Sequence, residues 1–151
     1  MRLTTYSDYA MRVLLYLGAR TDRLCSTTEI ARAYGISHNH LVKVVHDLRR
    51  AGYIASVRGR LGGLRLARPA EGINVGAVIR HTESDFQLVD CPGCLIGGVC
   101  GLSGALGEAV NAFLKILDGY TLADLLSRRT DMLARFLTER KAETTPPPTQ
   151  M

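Results

Sequence analysis

From Thr5 to Ala19 apolar side chains recur at Tyr6, Ala10, Val13, Leu14 and Leu17, the spacing of a helix with one buried face, and Thr4 or Thr5 can cap its start. Asp8 falls about opposite that stripe, one turn before Arg12, while Met11 and Leu15 add a second apolar patch near the outward side. A helix apolar on more than one side expects a further partner. The helix dipole and pairing with Arg12 by themselves account for an acid in the first turn. Ser26-Thr27-Thr28-Glu29 has the pattern of a capping box and predicts a short helix running to about Ala33. Gly35 breaks it, and Ser37 caps a third helix extending to about Arg50. Helix, glycine turn and capped helix form a helix-turn-helix pattern. In the third helix Leu41, Val44, Val45 and Leu48 share a core face; Asn39, Lys43, His46 and Arg50 line the opposite one, with His40 beside them and Ser37 and His38 at the amino-terminal end. Such a face suits a recognition helix, because Asn can pair with an adenine edge and Lys can reach guanine.

Past Gly52 the period changes to two. Tyr53-Ile54-Ala55-Ser56-Val57 predicts a strand, Arg58-Gly59-Arg60-Leu61-Gly62-Gly63 a flexible tip, and Leu64-Arg65-Leu66-Ala67 the return strand. The hairpin is a wing bordered by Arg58, Arg60, Arg65 and Arg68, with glycines that allow close approach to a phosphate backbone. Pro69 to Gly72 is a turn, and Asn74 caps a short helix from Val75 to about His81. Beyond a cysteine-containing loop, Leu102, Ala105, Leu106, Ala109, Val110, Phe113, Leu114, Ile116 and Leu117 cover nearly half of a long helix that Gly119 ends. A stripe that wide predicts packing both on its own domain and on a second copy. Thr121 caps another turn (Leu122 to Ser127), and Asp131 to about Lys141 is an amphipathic segment using Met132, Phe136 and Leu137. Thr144 to Met151, with three consecutive prolines, is expected to be disordered. The fold class is therefore mainly α: a winged helix-turn-helix DNA-binding domain (1–80), a loop (81–100), a dimerisation helix with carboxy-terminal helices (101–143) and a tail (144–151).

Charge sharpens this division. Residues 1–70 hold 12 Lys and Arg against 4 Asp and Glu, net +8, whereas residues 71–151 hold 7 against 10, net −3. A basic module joined to an acidic one points to double-stranded DNA as partner of the first. Candidate contacts are Thr28, Ser37, His38, Asn39, His40 and Lys43 on the helices and Arg58, Arg60 and Arg65 on the wing. No apolar run approaches a membrane span, no signal peptide opens the chain, and no flavin or nucleotide motif suggests an enzyme, so a cytoplasmic, non-enzymatic protein is expected.

The remaining chemistry lies in Cys91-Pro92-Gly93-Cys94-Leu95-Ile96-Gly97-Gly98-Val99-Cys100. Pro at the second position and Gly at the third predict a type II turn that faces the first two thiols to one point. The small apolar residues that follow let the chain wrap a compact object, return a third thiolate and keep water from a soft metal centre. Three readings are open: an iron-sulfur cluster with a fourth ligand other than Cys, a zinc knuckle needing a fourth His or Cys, and a C-x-x-C redox pair beside an unrelated Cys100. No His lies in the loop or just after it, which weakens the zinc reading. Cys25, alone before a helix start, is expected to be structural.

Residues 1 to about 128 resemble the winged-helix regulator family that includes the iron-sulfur regulator IscR and the iron regulator RirA, and within it the NsrR-type nitric-oxide-sensing repressors. The resemblance rests on the segments Met1 to Ala10, Ile36 to Val45, Val57 to Pro69, the three cysteines, and Tyr120-Thr121-Leu122-Ala123-Asp124-Leu125. It implies a homodimeric repressor with one cluster per subunit, 4Fe-4S rather than 2Fe-2S, held by Cys91, Cys94 and Cys100. It also implies that Asp8, donated across the interface, completes the metal site, and that nitric oxide is the signal. A regulator answering to iron or iron-sulfur status shares the same features. NsrR-type proteins usually space their first two cysteines more widely than the two intervening residues found here.

Overall fold

A computed structural model describes the backbone of residues 1–142 and the side chains of residues 1–138. The tail expected at 144–151 lies outside these residues. Three helices come first: α1 (Thr5–Ala19), α2 (Thr27–Tyr34) and α3 (His38–Arg50). The hairpin β1 (Ile54–Val57) and β2 (Gly63–Leu66) follows, antiparallel with Ile54 opposite Leu66 and Val57 opposite Gly63. A 3-10 turn (Ala70–Gly72) leads to α4 (Val75–Thr82), α5 (Leu102–Asp118), α6 (Leu122–Leu125) and α7 (Arg129–Ala142).

Helix α1 occupies the centre and packs on α3, α4, β2, α6 and α7. Its stripe of Ala10, Val13 and Leu14 is wholly buried, and Tyr16 and Leu17 nearly so. Each large side chain of that stripe contributes roughly 1.5–3 kcal/mol by leaving water. Thr4 caps the helix, its hydroxyl accepting from Ser7 N at 3.2 Å. Ser7, the one polar side chain on the inner face of the first turn, donates to Thr82 Oγ1 at 2.7 Å and so enters the core satisfied. A smaller core of Val75, Ile79 and Leu114 joins α4 to α5.

Several local expectations need correction. Ser37 stands at the N-cap position of α3 but its hydroxyl makes no capping bond. The wing tip is not loose: a Cβ at Gly62 would lie 2.1 Å from Val57 O, and Gly62 N donates to Gly59 O at 3.0 Å. Glycine is needed there because backbone fills the space of a side chain, while Gly59, at φ 111, supplies the left-handed residue. In α7, which begins two residues earlier than expected, Leu137 faces solvent. Among the described side chains of α7, Phe136 packs against the core, 4.7 Å from the Tyr16 ring and 5.6 Å from Tyr34. Cys25 is buried and its backbone pairs with Leu64, extending the edge of the hairpin as the structural role expected.

The Ser26 hydroxyl caps α2 by accepting from Glu29 N at 3.0 Å, while the Glu29 carboxylate accepts from Tyr16 Oη at 2.7 Å and from Arg23. Burial alone would raise this carboxyl, but the bonds from Arg23 and Tyr16 outweigh it and bring it from the ordinary 4.5 to about 2. A carboxylate depressed on folding adds stability that is complete above about pH 4.5 and is lost as pH falls toward about 2. Glu29→Gln should therefore flatten the acid limb of a plot of Tm against pH. A limb of unchanged slope would show that the Glu29 bonds do not hold in solution.

Candidate nucleic-acid interface and cysteine loop

The amino-terminal turn of α3 presents His38, Asn39 and His40 to solvent, and Lys43, His46 and Arg50 continue that exposed face. Leu41, Val44, Val45 and Leu48 anchor the opposite face, with exposures from 0 to 9%. Thr28 on α2 and Ser37 before α3 are exposed as well, as are Arg58 and Arg60 at the wing tip and Arg65 on β2. At the root of the wing Arg49 Nη1 donates to Ser56 Oγ at 3.4 Å, and Arg68 lies 5.0 Å from the Tyr53 ring centroid and donates to Gly52 O at 3.3 Å. These contacts tie β1 to the end of α3 without using the outward face.

One residue of α3 that the pattern left among its polar positions has a different task. Asp47 meets His81 Nε2 of α4 at 2.9 Å and faces the Tyr6 hydroxyl of α1. Burial first, and then this bond to Asp47, push the Tyr6 hydroxyl up to about 12, so it remains a donor at any physiological pH. The His81 ring also meets Tyr53 edge-on, with centroids 6.1 Å apart. The recognition helix is thus held from behind by the first turn of α1, the last turn of α4 and the base of the wing. Tyr6 lies two positions before Asp8, and His81 is the penultimate residue of α4 before the loop begins.

A second clasp lies next to the first. Thr4 N and Thr4 Oγ1 both donate to Glu83 Oε1, at 2.8 and 3.0 Å, so the start of α1 is fastened to the first residue after α4. From Glu83 to Gly101 the chain forms no helix or strand. Cys94 N donates to Cys91 O at 3.1 Å, which closes the expected turn, but Gly93 does not have a positive φ. The turn is therefore not type II. The left-handed glycine of this loop is Gly98, at φ 84. The reason lies in the succession of turns: Gly97 N bonds Cys94 O at 3.0 Å and Cys100 N bonds Ile96 O at 3.1 Å, so the loop winds continuously in one hand before reversing at Gly98.

All three loop thiols are free, Cys91 and Cys100 partly buried and Cys94 exposed. Leu102 N, at the start of α5, donates to Cys100 Sγ at 3.4 Å, the kind of backbone bond to sulfur that tunes iron-sulfur ligands. An apolar cavity of about 480 Å³, bounded by Phe86, Leu88, Pro92, Leu106 and Val110, opens beside Cys91. The donor set and its surroundings fit a thiolate-held metal centre. They are not gathered within the single chain, since no three His, Cys, Asp or Glu converge as metal ligands among the described residues. Asp8 lies on the outer side of α1, its carboxylate 2.9 Å from Arg12 Nη2, the pairing that its place one turn before Arg12 suggests.

The loop and α5 share a surface that water should not cover. Leu95, Ile96 and Val99 are exposed by 101, 54 and 87%, and Leu102 and Ile116 of α5 by 54 and 64%. Of the whole apolar stripe of α5 only Leu114 is buried. Exposed apolar side chains in such number mark a site of association.

Fold and surface together define a winged-helix DNA-binding regulator. The chain belongs to the Rrf2 family, described as iron-dependent transcriptional regulators, which it matches over residues 3–128. It is 46% identical over 139 residues to the HTH-type transcriptional regulator NsrR of Bacillus subtilis strain 168, covering 88% of this chain and 95% of that protein. With NsrR of Geobacillus kaustophilus it shares 49% over 148 residues, 93% of this chain and 99% of that one. Among solved structures it resembles IscR of T. potens (TM-score 0.70, 27% identity, 85% of this chain and 88% of that one). It also resembles CymR, the global cysteine regulator of B. subtilis (TM-score 0.70, 26% identity, 85% of this chain and 98% of that one). The family is one of transcriptional regulators, and no helix among the described residues is long and apolar enough to cross a membrane.

The sequence did not single out Asp47, His81 or Glu83, because each sits where an ordinary surface polar residue would, and it placed Tyr6 on the buried stripe without a partner for its hydroxyl. A tyrosine on an otherwise apolar stripe, with its hydroxyl in need of a partner, was the one available signal. Tyr6→Phe and Asp47→Asn should each lower unfolding free energy by about 1 kcal/mol, and the double variant by less than their sum. Urea denaturation checks this, and strict additivity would show that the two side chains do not interact.

Proposed function

We propose that this protein is a dimeric, DNA-binding transcriptional repressor of the cytoplasm whose hold on its operator is governed by an iron-sulfur cluster that reacts with nitric oxide. Residues 1–80 serve as the DNA-binding domain, 81–100 as the cluster loop and 101–143 as the dimerisation segment. The observation that carries the reading is the double attachment of α3 at Asp47, from the helix bearing Asp8 and from the helix leading into the cysteine loop. The family's description as iron-dependent regulators and the likeness to NsrR support it.

In this reading Cys91, Cys94 and Cys100 of one subunit and the partner subunit's Asp8 hold one cluster per subunit, 4Fe-4S in preference to 2Fe-2S. When bound, the cluster supplies soft, redox-active iron open to attack by nitric oxide. The protein's own part is mechanical. To act as a ligand, Asp8 must give up or share its bond to Arg12, and it sits in the turn of α1 where Tyr6 reaches Asp47. The loop pulls on α3 from the other side through His81, and on the start of α1 through Glu83. A small rotation of α3 in each subunit changes the separation of two recognition helices, which must match half-sites about 34 Å apart. Loss of one half-site contact removes several kcal/mol of specific binding.

Asn39 of α3 is placed to read a base edge and Arg60 of the wing to meet phosphates. Asn39→Ala should cost about 1–3 kcal/mol and relax specificity at one base pair, whereas Arg60→Ala should weaken all duplexes alike and lower the salt slope by about 1. Measured affinities that change in the opposite senses would exchange those two assignments.

The same ligands would serve a regulator of iron or iron-sulfur supply, a reading favoured by the family description. A gel-shift titration of anaerobically prepared protein decides between them. Release of the operator by stoichiometric nitric oxide, with indifference to an iron chelator, is the expected result. Release by chelation alone would select the iron-responsive reading, and a colourless, zinc-containing protein would exclude both. Asp8→Ala should lower cluster retention, and retention at the wild-type level would remove Asp8 from the ligands.

A further inference from the structure

The exposed face of α3 is polar at every position but one. Val42 stands three residues after Asn39 and four before His46, beside Lys43, so these four residues share one stripe of the helix. Its side chain is 43% exposed, whereas Leu41, Val44, Val45 and Leu48 on the opposite side are 0 to 9% exposed. It belongs neither to the core nor to the partly buried side chains packed on the core. In α1, α2 and α3 no other large apolar side chain is exposed to this degree.

Helix stability does not call for valine there, because a β-branched side chain at an exposed helical position is less favourable than Ala, Lys, Glu or Gln. What valine offers is rigidity. Its χ1 is confined to essentially one rotamer in a helix, so two methyl groups are held in a fixed place with little rotamer freedom left to lose on binding.

The neighbours limit what can lie against those methyls. Asn39, Lys43 and His46 put hydrogen-bonding groups on both sides of Val42, within a half of the chain that carries net +8 over residues 1–70. An apolar protein surface laid over this stripe would strand those groups without partners. The major groove of DNA instead offers base edges, flanking phosphates and a single kind of apolar group, the C5-methyl of thymine. Val42 lies in the amino-terminal half of α3, the part of a recognition helix that meets base edges.

We propose that Val42 is a specificity-determining residue that reads thymine through its C5-methyl group, one turn along α3 from Asn39. The inference rests on the DNA-binding reading given above and adds to it the base that is read. Contact with Val42 takes the methyl out of water, while Asn39 and Lys43 serve the polar edges beside it.

The test starts from a duplex selected out of a randomised pool by the full-length, anaerobically prepared protein. Each thymine of the selected half-site is replaced in turn by deoxyuridine, which removes only the methyl group, and the affinities of the wild type and of Val42→Ala are compared at one salt concentration. One position is expected where the replacement weakens the wild type roughly fourfold for each half-site changed, the loss that goes with a methyl group left in water. Val42→Ala should bind the thymine duplex with a similar loss and lose nothing more with deoxyuridine at that position. Val42→Ala is a helix-favouring change at an exposed site and should keep the wild-type Tm. Leu61→Ala, an apolar truncation at the exposed wing tip, should retain the full response to deoxyuridine. The proposal is overturned if the selected site holds no thymine, if every deoxyuridine duplex binds the wild type as the thymine duplex does, or if Val42→Ala keeps the wild-type response. It is also overturned if Leu61→Ala abolishes that response as Val42→Ala does, since the effect would then not be local to α3. Failure of the wild type to enrich any duplex is a different outcome, which overturns the DNA-binding reading and this proposal with it.

Discussion

Helix α1 is enclosed along its whole inner side. Its inner stripe is sealed by α3, α4, β2, α6 and α7, and its capping turn is fastened to the residue that follows α4. Close-packed interiors transmit displacement in place of absorbing it. In the reading advanced above, a displacement of the first turn of α1 reaches the recognition helix where the Tyr6 hydroxyl faces Asp47. The small number of polar bonds at this junction matters more than their individual strengths, because they connect elements that each have a separate exterior role.

The exterior roles are separated by charge and by polarity. The amino-terminal half carries the positive field, and the exposed apolar residues of the cysteine loop and α5 lie in the half with net negative charge. Like charge on two approaching basic domains would oppose close association through that half, whereas the apolar stripe of α5 provides a surface for it. A second copy on this surface would cover Leu95, Ile96 and Val99 together with the thiols. It would thereby supply the dry surroundings that a thiolate-held centre requires.

Much of this was legible in the sequence. The helical period fixed α1, α3 and α5 to within a residue or two, and the caps at Thr4, Ser26, Asn74 and Thr121 are present as side-chain bonds. The polar face of α3 and the arginine-bordered hairpin could be read from period and composition alone. Turn geometry could not. Pro92-Gly93 suggested a type II turn, but the loop continues into further turns, and the left-handed residue moved to Gly98. The tertiary polar bonds were equally hidden: nothing local distinguishes Asp47 from Arg50 until the fold brings its partners near. The three cysteines were recognisable by spacing, yet among the described residues they do not converge as metal ligands within the single chain.

The central claim is that the state of the cysteine loop sets the spacing of two recognition helices through α1 and α4. It is tested most directly by pulsed electron-spin distance measurement in the dimer. A nitroxide-bearing amino acid introduced at exposed position 46 of α3 leaves the native thiols untouched. The account predicts a resolved change in the distance between labels when the loop's metal is removed, and a smaller change in Asp47→Asn. Distance distributions that coincide in the loaded and stripped protein would contradict it.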